Sequence, residues 1–297
     1  MDYNYYSKII SRNKHICLLR GKRYLVQKIY REQTGLKLDY GSIQSFREKL
    51  QTHKLCSNPL LPICADKNAV RTYVKSRIGS EYLVPQYFCK SHIVEKDLTD
   101  LPDSFAIKTT SGSGTNLIIT DKKHSDLARI CHQMNQYTKL KYGYLWGEFY
   151  YNRIRNQIIA ETLLSKNPVD DYKIHCFRDD NGKLRQIIEV LWGPKSSRHK
   201  KMYDIHWKPL PYYFSLPPEK RNIPKPKHLK KMLFLADKLS EDFSYVRVDF
   251  YLIDDQIYFG ELTFIPTAGF GKFNPPRYDR IWGSWISNSF IKEDTHA

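Results

Sequence analysis

Four residues near the C-terminal end of the chain have the types and spacing to do chemistry. In VRVDFYLIDDQIYFGELTF, residues 246–264, Arg247 and Asp249 stand inside one apolar, β-rich run, and Glu261 and Thr263 inside the next. If the runs pair through a three-residue loop, Asp254-Asp255-Gln256, then Ile253 faces Ile257 and Asp249 lies opposite Glu261, with Arg247 opposite Thr263. Directly opposed residues share a sheet face, with Cβ atoms ~4.5–5.5 Å apart. Alternation sends Val248, Phe250, Leu252, Tyr258, Gly260 and Leu262 to the other, apolar face. Two carboxylates at that separation repel, and burial raises the cost. Either one is protonated or a cation lies between them. Arg247 supplies part of that charge. A hard Mg²⁺ ion supplies it better, because it takes one or two protein carboxylates together with phosphate oxygens and water. The competing reading is an exposed edge hairpin with solvated acids, which the apolar neighbours disfavour.

A magnesium site asks for phosphates. No Walker-type GxxxxGK[ST] and no GxGxxG after a strand occurs, so the common nucleotide loops are excluded. FAIKTTSGSGTN, residues 105–116, offers another device. Lys108 closes a strand, and Gly112 and Gly114 leave backbone N–H groups unshielded, so Ser111, Gly112, Ser113, Gly114 and Thr115 can fold over phosphate oxygens. An ordinary hairpin loop would read the same way; the acidic hairpin that follows later makes the combination rarer.

These groups need elements to carry them. Residues 1–55 have helical spacing and hold twelve Lys/Arg against four Asp/Glu, either a solvated face or a surface for an acidic partner. Asp66 caps a helix that runs to Ile78 and ends at Gly79. Tyr82–Pro85 reads as a short strand, 93–100 and 126–142 as helices, and 157–164 as a strand. Residues 172–192 form a hairpin about Asn181-Gly182. Asp171, Lys173 and His175 alternate onto one face of its first strand, His175 more simply as a structural histidine. A proline- and lysine-rich loop region with the basic run Lys195, Arg198, Lys200 and Lys201 leads to a helix over 227–241, and Trp282–Phe290 closes the chain as a helix. Strands interleaved with helices and hairpins indicate an α+β (mixed α/β) fold.

The bulk numbers set limits. The 297 residues suffice for a large core, and a net charge of +17 favours an anionic partner without choosing it. The six cysteines form no CxxC, and no histidine pair has zinc spacing. The N-terminal stretch lacks the apolar region of a secretion signal and no run is long enough for a membrane span, so a cytoplasmic protein with reduced thiols is expected.

Lys108 with its glycine-rich loop, the strand IIAETLL, and RVDF followed by GELTFIPTAG resemble the ATP-grasp superfamily, in the order found in D-alanine–D-alanine ligase. ADKNAVRTYV, DYKIHCF, VRVDFY and FGELTFIPTAGF are similar to its TupA-like branch, named for teichuronopeptide biosynthesis, over about residues 60–285. The resemblance implies an ATP-grasp fold with the nucleotide between a small lid and a C-terminal α+β domain. The expected divisions are an N-terminal helical region at 1–99, a lid at 100–165 and a catalytic part at 166–297. By resemblance, Lys67 and Lys108 hold ATP phosphates beneath the 111–116 loop, and Glu161 meets the adenine amino group beside the hinge residues Leu163 and Leu164. Asp171 or Lys173 touches ribose or phosphate, Asp249 and Glu261 bind Mg²⁺, and Arg247 stabilises the acyl-phosphate. Thr263 stands where many relatives have a metal-binding Asn, and its hydroxyl is a weaker ligand.

The implied activity is an ATP- and Mg²⁺-dependent carboxylate–amine ligase that attaches an amino acid to a uronic acid of a bacterial surface polysaccharide. Its partners would be ATP, an amino acid and an anionic glycan or nucleotide-linked uronic acid, with peripheral contact at the inner membrane surface and no nucleic acid. A glycosyltransferase of the same pathway is the alternative, which the absence of DxD disfavours. A non-catalytic binder of RNA or anionic membrane is a third class that charge alone would suit.

Overall fold

Local signals set the helices of the N-terminal third. In the computed structural model, which describes residues 2–194, 197–218 and 222–287, helices α1 (Tyr3–Arg20) and α2 (Lys22–Thr34) meet at Gly21. The Asp2 carboxylate accepts from the Tyr5 N–H at 3.2 Å to start α1, and a left-handed Gly35 ends α2. Helix α3 (Phe46–His53) starts at a reciprocal Ser45/Glu48 capping box. After α4 (Leu60–Ala65), the Asp66 carboxylate accepts from the N–H groups of Asn68 and Ala69 at 2.7 and 2.8 Å. The turn it builds delivers α5 (Val70–Ile78), which Gly79 terminates as expected.

The next strand differs from the sequence reading. Tyr82–Pro85 is a turn, not a strand, with the Leu83 N–H donating to Ser80 O. Pro85 has no N–H to offer a ladder, so pairing begins one residue later in β1 (Gln86–Lys90). Then come α6 (Glu95–Thr99), β2 (Phe105–Thr109), β3 (Leu117–Ile119), α7 (Leu127–Tyr137), α8 (Gly143–Trp146) and β4 (Ile158–Thr162). Helix α7 stops at Tyr137 rather than Tyr142, where the Asn156 side-chain amide donates to the carbonyls of Tyr137 and Thr138. These strands form an antiparallel sheet in the order β1-β4-β2-β3, so β1 extends it upstream of residue 100. Phe105, Ile107, Ile158 and Ala160 pack one face against Ile130, Met134 and Tyr137. The other face carries Ala106, Lys108, Ile118 and Glu161 toward a cavity.

A second sheet is built from β5 (Asp171–Arg178), β6 (Leu184–Trp192) and β7 (His199–Tyr203), and, after the short β8 (Tyr213–Phe214) and α9 (Leu229–Ser240), from β9 (Tyr245–Ile253) and β10 (Gln256–Thr263). The order is β10-β9-β5-β6-β7, antiparallel throughout. Ile174, Cys176, Val246 and Val248 pack on Met232, Leu235, Ala236 and Leu239 of α9. Strand β11 (Phe273–Asn274) pairs with β8, and α10 (Arg277–Ser284) sets Trp282 against Phe46, Phe177 and Phe214. The closing helix therefore begins before Trp282, and residues 288–290 lie outside the described residues. Lys195 of the basic run also lies outside them.

The late hairpin reaches the expected pairing by another route. Its loop has two residues, Asp254 and Asp255, both left-handed with φ of 51° and 61°, so Gln256 pairs with Ile253. A bulge at Gly260 then shifts the register by one, restoring Glu261 opposite Asp249 and Thr263 opposite Arg247. Upstream of the bulge the faces exchange. Ile257 and Phe259 join the core, and Tyr258, expected on the apolar face, lies opposite Tyr251 on the polar one.

Candidate active site

Alternation across four neighbouring strands brings the charged residues together. Thr263 and Glu261 come from β10, Arg247 and Asp249 from β9, Asp171, Lys173 and His175 from β5, and Glu189 from β6. Lys173 pairs with both Asp249 and Glu189, and His175 with Arg247, so all occupy one face. The Arg247 guanidinium grips Asp249 with Nε–Oδ1 and Nη2–Oδ2 contacts of 2.7 Å. Its Nη2 also reaches Thr263 Oγ1 at 2.9 Å and Glu261 Oε1 at 3.3 Å. Thr263 Oγ1 donates to the same Glu261 oxygen at 2.9 Å. Lys173 Nζ pairs with Asp249 and, at 2.6 Å, with Asp171.

The cation between the two acids is thus, in this state, Arg247. Burial opposes its charge, but Asp249 and Glu261 hold it and raise its pKa. Burial would push Glu261 up, yet Arg247, Lys173 and Lys67 hold it below the usual carboxylate range. Burial pushes Asp171 up to about 6 against the pull of Lys173. Asp249 is 2% exposed, whereas the Glu261 side chain is 44% exposed toward the cavity.

Beyond this square the polar face continues. His175 Nδ1 meets the Tyr245 hydroxyl at 2.8 Å, and burial lowers its pKa against the pull of Glu189. Lys200, read from sequence as part of a loop's basic run, is a buried β7 residue 2.9 Å from Glu189 and 3.1 Å from the Phe214 carbonyl.

Two cavities open on the polar faces of the sheets. One, of about 380 Å³, lies between the sheets. Lys67, Lys108, Glu161, Leu163, Leu164 and Asp171 line it, along with residues the sequence reading did not single out, notably Arg71, Asn116 and Arg198. Lys108 Nζ stands 2.5 Å from Glu161 Oε2, and Arg71 lies 3.9 Å from Oε1, so groups expected at opposite ends of a nucleotide are ion-paired with each other. The second cavity is bounded by Arg247, Glu261 and Thr263, by Gly112 and Ser113, and by an aromatic wall that includes Tyr142 and Trp146. Lys173 and Asp249 line neither cavity and lie beneath the face. Lys67 joins the two: it lines the first, and its Nζ donates to the Gly112 carbonyl, in the second, at 2.5 Å.

The glycine loop is anchored. Thr109 and Thr115 hydroxyls meet at 2.6 Å, the Ser111 N–H donates to Asn156 at 3.1 Å, and the Ser113 hydroxyl meets Tyr142 OH at 2.7 Å. Ser111 and Thr115 point inward, while Ser113, Gly114 and Asn116 are exposed. Gly112 and Gly114 both have φ of 78°, a conformation that strains any other residue, and a Cβ at Gly112 would lie 2.5 Å from the Tyr142 ring.

The oxygen donors fit a hard divalent ion. Glu261 is open and Thr263 stands beside it, whereas both Asp249 oxygens are engaged by Arg247 and Lys173 and would have to be released to a metal; no third acid, histidine or cysteine completes a metal cluster among the described residues. Such a set suits an ion whose remaining ligands arrive with phosphate groups.

Two sheets closing on a cleft, with a glycine-rich loop between strands of one and a charged hairpin on the other, define the ATP-grasp architecture. A family model described as TupA-like ATPgrasp matches residues 48–287, and the chain belongs to that family. No curated protein matches it. Among solved structures it is similar to D-alanine–D-alanine ligase from Helicobacter pylori, at 13% identity over 78% of this chain and 59% of that one, TM-score 0.41. It is also similar to D-alanyl-alanine synthetase A from Vibrio cholerae, at 13% identity over 72% and 59%, TM-score 0.45. An L-amino acid ligase from Bacillus licheniformis matches at 15% identity over 69% and 42%, TM-score 0.42. The chain spans little more than half the length of the first two and less than half of the third.

Proposed function

We propose that the protein is an ATP-dependent ligase that forms an amide through an acyl-phosphate. The observation that carries this reading is the meeting of two cavities at Lys67, the second of them bounded by Arg247 and Glu261. The first cavity takes ATP. Its base lies against Leu163 and Leu164, and its phosphates approach Lys67 and Lys108. Phosphate displaces Glu161 from Lys108 and frees that carboxylate for the adenine amino group.

A substrate carboxylate oxygen in the second cavity attacks the γ-phosphorus, and ADP leaves. An amine nitrogen then attacks the acyl carbon, phosphate departs and the amine's proton is released. Arg247, Lys67 and Lys108 balance the charge that grows on phosphate and acyl oxygens, and the anchored loop fixes distance and excludes water. Asp249 holds Arg247 in place, and Lys173 holds Asp249 and Asp171. Glu261 and Asp249, with Thr263 alongside, would hold Mg²⁺, which when bound neutralises the transferring phosphoryl group.

The finer reading is the joining of an amino acid to a uronic acid of a bacterial surface polysaccharide, with the enzyme in the cytoplasm beside the inner membrane. The family's name, the aromatic wall of the second cavity and the +17 charge support it. So does the corner between α1 and α2, where Leu18 and Leu19 are 72% and 68% exposed beside Arg20, Lys22 and Arg23. No helix among the described residues is long and apolar enough to cross a membrane. A screen of single amino acids against uronate-bearing glycans, with ATP and Mg²⁺, tests the proposal by ADP release. One pairing should release ADP, and Glu261→Gln should slow it on the order of a hundredfold with the fold intact. Release of UDP from a nucleotide sugar, without ADP, would replace the ligase with a glycosyltransferase.

A further inference from the structure

The second cavity holds a carboxylate that the chemistry above does not use. Glu148 lines it and is 5% exposed. Its Oε2 accepts from the Tyr150 hydroxyl at 2.7 Å, and no cation lies within ion-pair distance of it among the described residues. The nearby buried cation is committed elsewhere: Lys54 Nζ donates to the Trp146 carbonyl at 2.8 Å and sits 4.4 Å from the centre of the Phe270 ring. A carboxylate taken from water without a direct cationic partner is costly: burial raises the Glu148 pKa, and the Lys54 charge, beyond ion-pair distance, offsets that only in part. A ligand cation would relieve that cost.

The surroundings are built for one. Tyr142, Trp146 and Tyr151 line the same cavity, and aromatic faces attract ammonium groups, as the Lys54 ammonium on Phe270 already does beside them. Glu148 is also held firmly. Gly143 packs so closely beneath it that a Cβ there would lie 2.7 Å from the Glu148 carbonyl, and the Gly143 N–H donates to Asn152 at 3.1 Å. A left-handed Gly147 sets the turn just before it. Arg247 and Lys272 line the same cavity and offer cationic groups for an anionic part of the same ligand.

We propose that Glu148 and its aromatic neighbours bind the primary ammonium of a substrate, so that the second cavity selects an aminated compound with a free amine. This deepens the ligase reading and rests on it for the word substrate; the ammonium site itself is read by binding alone. The full chain is titrated by calorimetry with each of the twenty amino acids, glucosamine and galactosamine, and with their N-acetyl forms, with and without ATP and Mg²⁺. At least one free amine should bind while its N-acetyl form does not. Glu148→Gln should weaken that amine at least tenfold, Glu148→Asp should recover part of the loss, and ATP affinity should stay unchanged in both. Equal binding of free and acetylated probes, no binding by any free amine, or an unaltered amine affinity in Glu148→Gln would overturn the proposal. ATP binding without an amine preference removes the ammonium site and leaves the nucleotide reading standing. Amine binding without ATP binding does the reverse.

Discussion

The two cavities are made of different material. The first draws nearly half of its wall from regular elements, among them Ala106 and Lys108 of β2, Glu161 of β4, Tyr251 of β9 and Val70 of α5, and the rest from loops, chiefly residues 163–169. The second is walled mainly by irregular chain: the glycine loop, the turn that carries Trp146 and Glu148, and the left-handed pair Thr267 and Ala268, with φ of 52° each. Strand positions are set by a period of two and by ladder hydrogen bonds. Loop positions are set by side chains that tie them down one at a time. On the proposed reading, the strand positions of the first cavity keep the ATP contacts constant, and the second cavity is where substitutions can alter specificity with little disturbance to a sheet. Arg247 and Glu261 stand at the border, on strands but facing the irregular side.

Removing the border cation gives the largest effect. Arg247→Met leaves Asp249 and Glu261 facing each other with Lys173 and Lys67 as the remaining cations, and breaking a buried ion pair costs about 3–5 kcal/mol. Urea unfolding should show that loss, and ADP release should vanish even where the variant is folded.

Acid should separate the two sides next. His53 of α3 is buried, 6.3 Å ring to ring from Phe264, and burial lowers its pKa from 6.5 to about 3. Between those values the unfolded chain binds a proton that the folded protein does not. Its contribution is complete above pH 6.5 and falls as pH drops toward 3, by a few kcal/mol at the acid end. Unfolding of His53→Gln should lose that part of the pH dependence; an unchanged profile would place the acid-sensitive group elsewhere.

The smallest effect belongs to the loop ties. Ser113→Ala removes the 2.7 Å contact to Tyr142, an exchange of about 0.5–1.5 kcal/mol. It should raise hydrogen exchange across 111–116 and leave the strands of the first cavity unaltered. Equal change on both sides would show that the loop and the sheet move as one body.

The same contrast explains what was legible in the sequence. The polar square of Arg247, Asp249, Glu261 and Thr263 could be read because alternation alone puts those residues on one face. Its detailed path could not. Whether Asp254-Asp255 closes a two-residue turn depends on two left-handed aspartates, and the compensating bulge at Gly260 depends on the turn. Lys200 reads as part of a loop's basic run because the stretch is rich in proline and lysine; its partner, Glu189, lies on a neighbouring strand far enough away in sequence to give no local sign. Glu148 was missed for a related reason: WGEFYY has no helical or strand period, and only the density of aromatic residues marked it. The Lys108–Glu161 pair could not be seen either, since residues 53 positions apart meet only through the β2–β4 register.

The most direct measurement is calorimetric titration of Mg²⁺-ATP into the wild-type protein and Lys108→Ala, with the N-terminal corner and second cavity left intact. The wild type should bind one ATP, and loss of the Lys108 ammonium should weaken it about tenfold, near 1.4 kcal/mol. Equal affinity in the two proteins, or no binding by the wild type, would contradict the assignment of the nucleotide to the cleft between the sheets.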